Sequence, residues 1–183
     1  MIIKINKPEI ENPINKKILI ITAKWYEDLE VWYTLLRLSE AGADVTVAAP
    51  EMIEYSGYYA LKITPHITIN EAKSENFDAI IIPGGYAPDF LRRSEEVLNL
   101  VREFHEQKKL VAFICHGGWV PISAKIIKGR HATGLIAIKD DMINAGALWE
   151  DQPVVVDDNF ISSRRPDDLP CFCNAIITYL KNN

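Results

Sequence analysis

The sequence predicts an α/β fold, a doubly wound, mostly parallel sheet with helices on both faces. Three observations carry that expectation. Four short apolar runs, KILIITA (17–23), DVTVAA (44–49), AIII (79–82) and LVAFI (110–114), have the length and composition of buried strands. Stretches with apolar residues at helical spacing lie between and after them. Strand and helix signals alternate along most of the chain, as they do where a parallel sheet is covered by crossover helices. Ligands in such sheets bind beyond the carboxyl ends of the strands. Three loops here follow strands, 24–28, 83–89 and 115–118, so they are expected at one edge.

Taken in order, residues 1–15 hold two prolines and no clear period, and read as an irregular or edge-strand extension. Lys17–Ala23 is the first strand. The following helix places Val31, Leu35 and Leu38 on one face, with Asp28 and Glu30 in its first turn and Gly42 as its stop. Asp44–Ala49 is the second strand, ended by Pro50. Residues 52–70 carry Gly57 and Pro65 and suggest one or two short strands that need not join the main sheet. Ala79–Ile82 is a buried strand running into Pro83-Gly84-Gly85. Glu95–Gln107 is a helix with Val97, Leu100, Val101 and Phe104 inward. Leu110–Ile114 is a buried strand, and a helix is expected from about Gly117 to Ile127. His131–Leu135 reads as a short strand and Lys139–Ala145 as a short helix closed by Gly146. Pro153–Val156 and Phe160–Ser162 flank Asp157-Asp158-Asn159 as a hairpin. Leu169–Leu180 is a closing helix with Phe172, Ile176 and Leu180 inward.

Composition narrows the function. The chain has 183 residues, 48% of them hydrophobic, which suits one domain with a full core. A net charge of −5 without a basic cluster argues against a nucleic-acid footprint. No window has the uninterrupted apolar length of a membrane span, and the N-terminus lacks a signal-peptide core. Three cysteines without framework spacing fit a reducing cytoplasm. Cys171 and Cys173 have no second pair or nearby His to complete a zinc site, so packing is their expected role. Neither a metal nor a cofactor is expected.

The chemistry concentrates where the LVAFI strand ends in Cys115-His116-Gly117-Gly118. A lone thiol there sits at a sharp strand-to-helix turn, the geometry of a nucleophile elbow. The new helix aims free N–H groups at the sulfur, so a depressed thiol pKa is expected. Glu27 follows the first strand and can reach the same crevice, where a carboxyl can hydrogen-bond to sulfur. It can equally serve as a helix-start acid. Gly84-Gly85 offers backbone N–H groups where no side chain blocks approach, as an oxyanion hole requires.

The segments WYEDLE, IIPGGYAPD, FICHGG, KDDMINAGALWED (139–151) and SSRRPDDL (162–169), all in order, resemble the DJ-1/PfpI superfamily, and within it the PfpI-like proteases. The resemblance runs from about Lys17 to Leu180. It implies a flavodoxin-like three-layer α/β/α sandwich, with residues 1–16 as an extension. Residues 17–183 would form a domain of class I glutamine amidotransferase-like fold. It implies Cys115 as nucleophile, Glu27 as the acid bonded to it, and the backbone N–H groups of Gly85 and His116 as oxyanion hole. In that branch His116 is completed by an acid from a neighbouring subunit. The matching position is Asp89, where the family usually has Glu. A homo-oligomer, dimer or hexamer, follows. Gly118-Trp119 replaces the family's usual Pro plus variable residue, and Leu135 replaces a pocket Tyr. The implied activity is attack on the carbonyl carbon of a small carbonyl or peptide substrate: peptidase, glyoxalase III-like or deglycase. The alternative is a DJ-1-like oxidation sensor or chaperone acting through Cys115. Amidotransferase activity is rejected, because no His follows His131.

Overall fold

All five residues of Leu110–Ile114 are inaccessible to solvent in the computed structural model, which describes residues 5–6 and 8–183. That strand is near the middle of a seven-stranded sheet. The chain builds it from β1 (Lys17–Ile21), α1 (Asp28–Glu40), β2 (Asp44–Ala49), β3 (Tyr55–Ser56), β4 (Lys62–Ile63), β5 (Ile67–Thr68), β6 (Ala79–Ile82), α2 (Ala87–Leu91), α3 (Glu95–Glu106) and β7 (Leu110–Ile114). Then follow α4 (Trp119–Ser123), β8 (His131–Ala132), α5 (Lys139–Asn144), β9 (Leu148–Trp149), β10 (Val154–Asp157), β11 (Phe160–Ser163) and α6 (Leu169–Asn182). The sheet order is β10-β11-β7-β6-β1-β2-β5, parallel throughout except for the β10–β11 hairpin. The α/β class and its layers are as the sequence predicts.

The order explains where a site must form. From β1 the chain moves outward to β2 and β5, then crosses back to β6 and β7 on the other side of β1. The crossovers on the two sides therefore lie on opposite faces, with α1 beside α6 in one layer and α3 beside α4 in the other. Where they diverge, between β1 and β6, a crevice opens beyond the strand ends. The loops after β1 and β6 meet there: Tyr26 and Gly85 form an isolated bridge, and Glu27 N donates to Gly84 O at 3.2 Å. The three post-strand loops do share one edge.

Several elements differ from expectation, each for a local reason. β5 pairs with β2 and so does join the main sheet, at its edge. β8 is shorter than His131–Leu135 and pairs off the main sheet with β9, a two-residue strand too brief to show a period. The helix α2 begins where Pro88 can occupy a first-turn position. Among the described residues before β1 there is no strand. Ile14 is buried and donates its N–H to Ala41 O at 3.0 Å, which fastens that segment to the end of α1. The rest of the expectation for residues 1–15 falls on residues 1–4 and 7, outside the described ones. Cys173 is buried against Thr34, but Cys171 is exposed and does not pack as expected.

Candidate active site

Ile114 ends β7 with extended backbone, φ −137° and ψ 150°. The next residue, Cys115, takes φ +60°. A side chain other than Gly in that region costs about 1–3 kcal/mol and persists only where the surroundings enforce it. Here a 3₁₀ turn over Cys115–Gly118 leads into α4. Gly117 is obligatory in that turn, because a Cβ would collide with the carbonyl oxygen of Ile82. The elbow is therefore present, although its helix is shorter than expected. It stops at Ser123, two residues before Lys125 takes φ +62°.

Four groups converge on the sulfur. The backbone N–H groups of His116 and Gly85 both reach it. Gly85 can do so because φ +73° turns its peptide inward, and a Cβ there would strike Trp25 O and the Tyr26–Glu27 backbone. The His116 Nδ1 lies 3.5 Å from Sγ. The fourth group is the carboxyl of Glu30, fully buried on the first turn of α1. Its Oε2 accepts the Gly84 N–H at 2.5 Å, and its side chain meets the Cys115 thiol.

The acid beside the sulfur is thus Glu30 and not Glu27. Glu27 is the N-cap of α1: its Oε2 accepts the Glu30 N–H at 2.8 Å. That is the helix-start role, and it holds the Glu27 carboxyl at the rim of the crevice. Glu30 instead falls on the inner line of α1, four residues before Thr34 and eight before Leu38, all buried. A carboxyl at that position has nowhere to go but the sheet edge where Cys115 sits.

Burial raises the Glu30 pKa from 4.5 to about 8, against the Gly84 N–H, which favours the anion. The Glu30 carboxyl therefore keeps its proton at neutral pH. Burial also pushes the Cys115 thiol up, an ionised Glu30 adds to this at higher pH, and the N–H groups of His116 and Gly85 only partly oppose it. This direction is the reverse of the depressed thiol pKa that the elbow implies. The five residues of α4 carry too little dipole to offset a sulfur only 6% exposed beside a carboxyl. Thiol and carboxyl titrate as a pair in which the carboxyl loses its proton first and the thiol proton then leaves with more difficulty. Burial also lowers the His116 pKa, so its imidazole is a neutral proton acceptor near pH 7.

A cavity of about 300 Å³ opens over the sulfur, with Glu27, Tyr58, Tyr59, Tyr86, His116 and Trp119 among its walls. Tyr58 and Tyr59 are set there by Asp28, which the sequence marks only as a first-turn acid. Asp28 is buried and accepts the N–H groups of Tyr59 and Leu61, both at 2.7 Å. Asp28→Ala leaves both donors without their charged acceptor, so urea unfolding is expected to show a loss of about 2 kcal/mol. Asp89 lies on α2 and is engaged by Arg93 of its own chain. Leu135 does not line the cavity over the sulfur. Its N–H donates to Cys115 O at 3.3 Å, and its side chain borders a neighbouring cavity with Trp149, Arg164 and Arg165.

The fold agrees with comparisons to known proteins. The DJ-1/PfpI family profile matches residues 16–179. The chain belongs to the DJ-1/PfpI family. It is 41% identical over 165 residues to the Deglycase PfpI of Pyrococcus furiosus, covering 90% of this chain and 99% of that one. It is 37% identical over 169 residues to a Bacillus subtilis protein named "Putative cysteine protease YraA", covering 92% and 100%. Among solved structures, Drosophila melanogaster DJ-1beta superposes with a TM-score of 0.87 at 27% identity, covering 92% of each chain. A two-domain protein of Anabaena variabilis with DJ-1/ThiJ/PfpI-like and ferritin-like domains gives 0.89 at 42% identity. The match covers 91% of this chain and 48% of that one. Enzymes are thus named among this chain's relatives. No helix among the described residues is long and apolar enough to cross a membrane.

Proposed function

We propose that this chain is a cysteine enzyme that attacks a carbonyl carbon through Cys115. His116 takes the thiol proton on Nδ1. The sulfur forms a bond to the carbonyl carbon, and the carbonyl π pair moves to oxygen. The N–H groups of Gly85 and His116 receive that oxyanion. Glu30, neutral at pH 7, faces the thiolate without repelling it and holds a proton for the adduct. With a peptide, the oxyanion collapses, the C–N bond breaks and the amine leaves with the proton held on His116; water then cleaves the thioester, releasing the acid and returning a proton to Cys115. With a small dicarbonyl, the same first step gives a hemithioacetal. The observation that carries this reading is the convergence of two backbone donors and a protonated carboxyl on one sulfur beneath an open cavity. The Pyrococcus furiosus relative's name favours a deglycase, and the Bacillus subtilis name a peptidase.

A substrate panel tests the reading: methylglyoxal, a glycated peptide and a fluorogenic peptide amide, each with the unaltered chain and with Cys115→Ala. Turnover of at least one by the unaltered chain and none by the variant is expected. Equal turnover by both would end the proposal.

The proposal extends to assembly. Tyr86, Phe90 and Trp25 form an aromatic cluster next to Asp89, and Tyr86 and Trp25 are more than half exposed. Such a surface suits a contact between copies of the chain. Light scattering is expected to give at least a dimer. In that assembly Asp89 leaves Arg93 for His116 of a neighbour, and activity falls on dilution. A monomer fully active at nanomolar concentration would remove the shared site.

A further inference from the structure

Trp119 opens α4 at the end of the elbow turn, where the family's pattern has a variable residue. Its indole lies against the His116 imidazole, with centroids 4.9 Å apart and planes tilted by 40°. Two other elements hold the indole. Its Nε1–H donates to Asp141 Oδ2 on α5 at 2.8 Å. The guanidinium of Arg92, at the end of α2, sits 5.5 Å from the ring centroid. Arg92 is itself fixed, because its Nε donates to Ser123 Oγ at 2.9 Å. The indole therefore cannot swing without breaking contacts to two separate helices. Among the described residues, the polar contact of the imidazole is the Cys115 sulfur, 3.5 Å from Nδ1.

An imidazole is broad and nearly two-fold about its terminal torsion, so one contact to sulfur does not choose the ring orientation. A pinned aromatic face does choose it. We propose that Trp119 is the positioning residue for His116: braced by Asp141 and Arg92, its indole holds the imidazole with Nδ1 turned toward the Cys115 sulfur. The proposal rests on the reading that His116 accepts the thiol proton. It supplies from within one chain an orientation otherwise sought from a neighbour's Asp89. The charged or titratable groups around this unit are Cys115 and Glu30 on the sulfur side, Arg92 and Asp141 on the indole, and Glu27 at the cavity rim.

The test uses the full chain with Trp119→Ala, Trp119→Phe, Asp141→Ala and Asp89→Ala. Three quantities are read: kcat and KM for the substrate found in the panel, the His116 titration by NMR, and the pH profile of Cys115 alkylation by iodoacetamide. Trp119→Ala is expected to lower kcat at least tenfold with KM within threefold. Water then reaches the imidazole, and its titration moves up toward the ordinary histidine value. Trp119→Phe keeps a ring face but loses the Nε1–H bond to Asp141, so it is expected to fall between Trp119→Ala and the unaltered chain, alongside Asp141→Ala. Asp141→Ala lies away from the sulfur and is expected to shift the same quantities, less far. The NMR and alkylation readings need no substrate, so they decide the positioning role even if no carbonyl compound turns over. The proposal is overturned if Trp119→Ala and Asp141→Ala leave both readings unchanged, or if Asp89→Ala moves them and Trp119→Ala does not. Should Trp119→Ala lose its native circular dichroism, the Phe and Asp141 variants decide the positioning role in its place.

Discussion

Glu30→Gln is expected to cut turnover at least about 10²-fold, while Glu27→Gln stays within about threefold. The two residues are three apart on one chain and do different work. Gln at 27 still offers a carbonyl oxygen to the Glu30 N–H, so the cap on α1 survives. Gln at 30 still offers an oxygen to the Gly84 N–H, so the backbone of the loop after β6 stays in place. What it lacks is the proton that burial keeps on the carboxyl up to about pH 8. A positioned acid–base group contributes about 10²–10⁴ to rate. The loss should fall on kcat, because Glu30 lies beneath the sulfur and the cavity walls come from other residues. Steady-state kinetics on both variants, with circular dichroism as a fold control, reads this directly. A fully active Glu30→Gln would return the catalytic acid to Glu27 or remove it.

The contrast also marks what is legible in the sequence. The buried strands announce themselves, since Ala79–Ile82 and Leu110–Ile114 carry no polar residue and have no other place to go. The elbow at Cys115 is legible too, because an apolar strand, a cysteine and two glycines leave the chain one way to turn. The acid is not. WYEDLE offers Glu27, Asp28 and Glu30, and all three lie near the sheet edge. Which one faces the sulfur depends on where α1 begins. Starting at Asp28, the helix assigns Glu27 to its cap, Asp28 to the Tyr59 loop and Glu30 to the thiol. A signal is present: Glu30, Thr34 and Leu38 form a line at i, i+4 and i+8, and only a functional or protonated carboxyl belongs on a buried line. Short elements such as α2, β5 and β9 are less legible still, since two to five residues show no period and are shaped by what they pack against.

The thiol pKa departs from expectation for a different reason. An elbow implies a helix, and a helix implies a dipole, but the length of that helix is a tertiary property. Here it is five residues, and the sulfur lies under them with a carboxyl beside it. Desolvation then outweighs the local N–H groups. In the proposed function, reactivity at this site depends on the proton moving among Cys115, Glu30 and His116, and not on a standing thiolate. Accordingly the imidazole geometry proposed for Trp119 to set would bear directly on that chemistry.

The same buried carboxyl should make Glu30→Gln more stable than the unaltered chain, in a pH-dependent way. The Glu30 pKa is about 8 in the fold and near its ordinary 4.5 when unfolded. Between those values the folded chain holds a proton that the unfolded chain has released. Folding then requires proton uptake, and it becomes less favourable as pH rises through this window. Below about pH 4 both states are protonated and the penalty vanishes, whereas above about pH 8 it is constant. Gln never titrates, so it escapes the penalty. The gain at pH 7 is of the order of 3 kcal/mol. For a chain of this size that corresponds to roughly 5–10 °C in melting temperature. Melting curves at pH 4 and pH 7.5 should therefore diverge, with Glu30→Gln close to the unaltered chain at the lower pH and clearly above it at the higher. Equal melting temperatures at both would mean that Glu30 is ionised in the fold, and the neutral acid beside Cys115 would be lost with it.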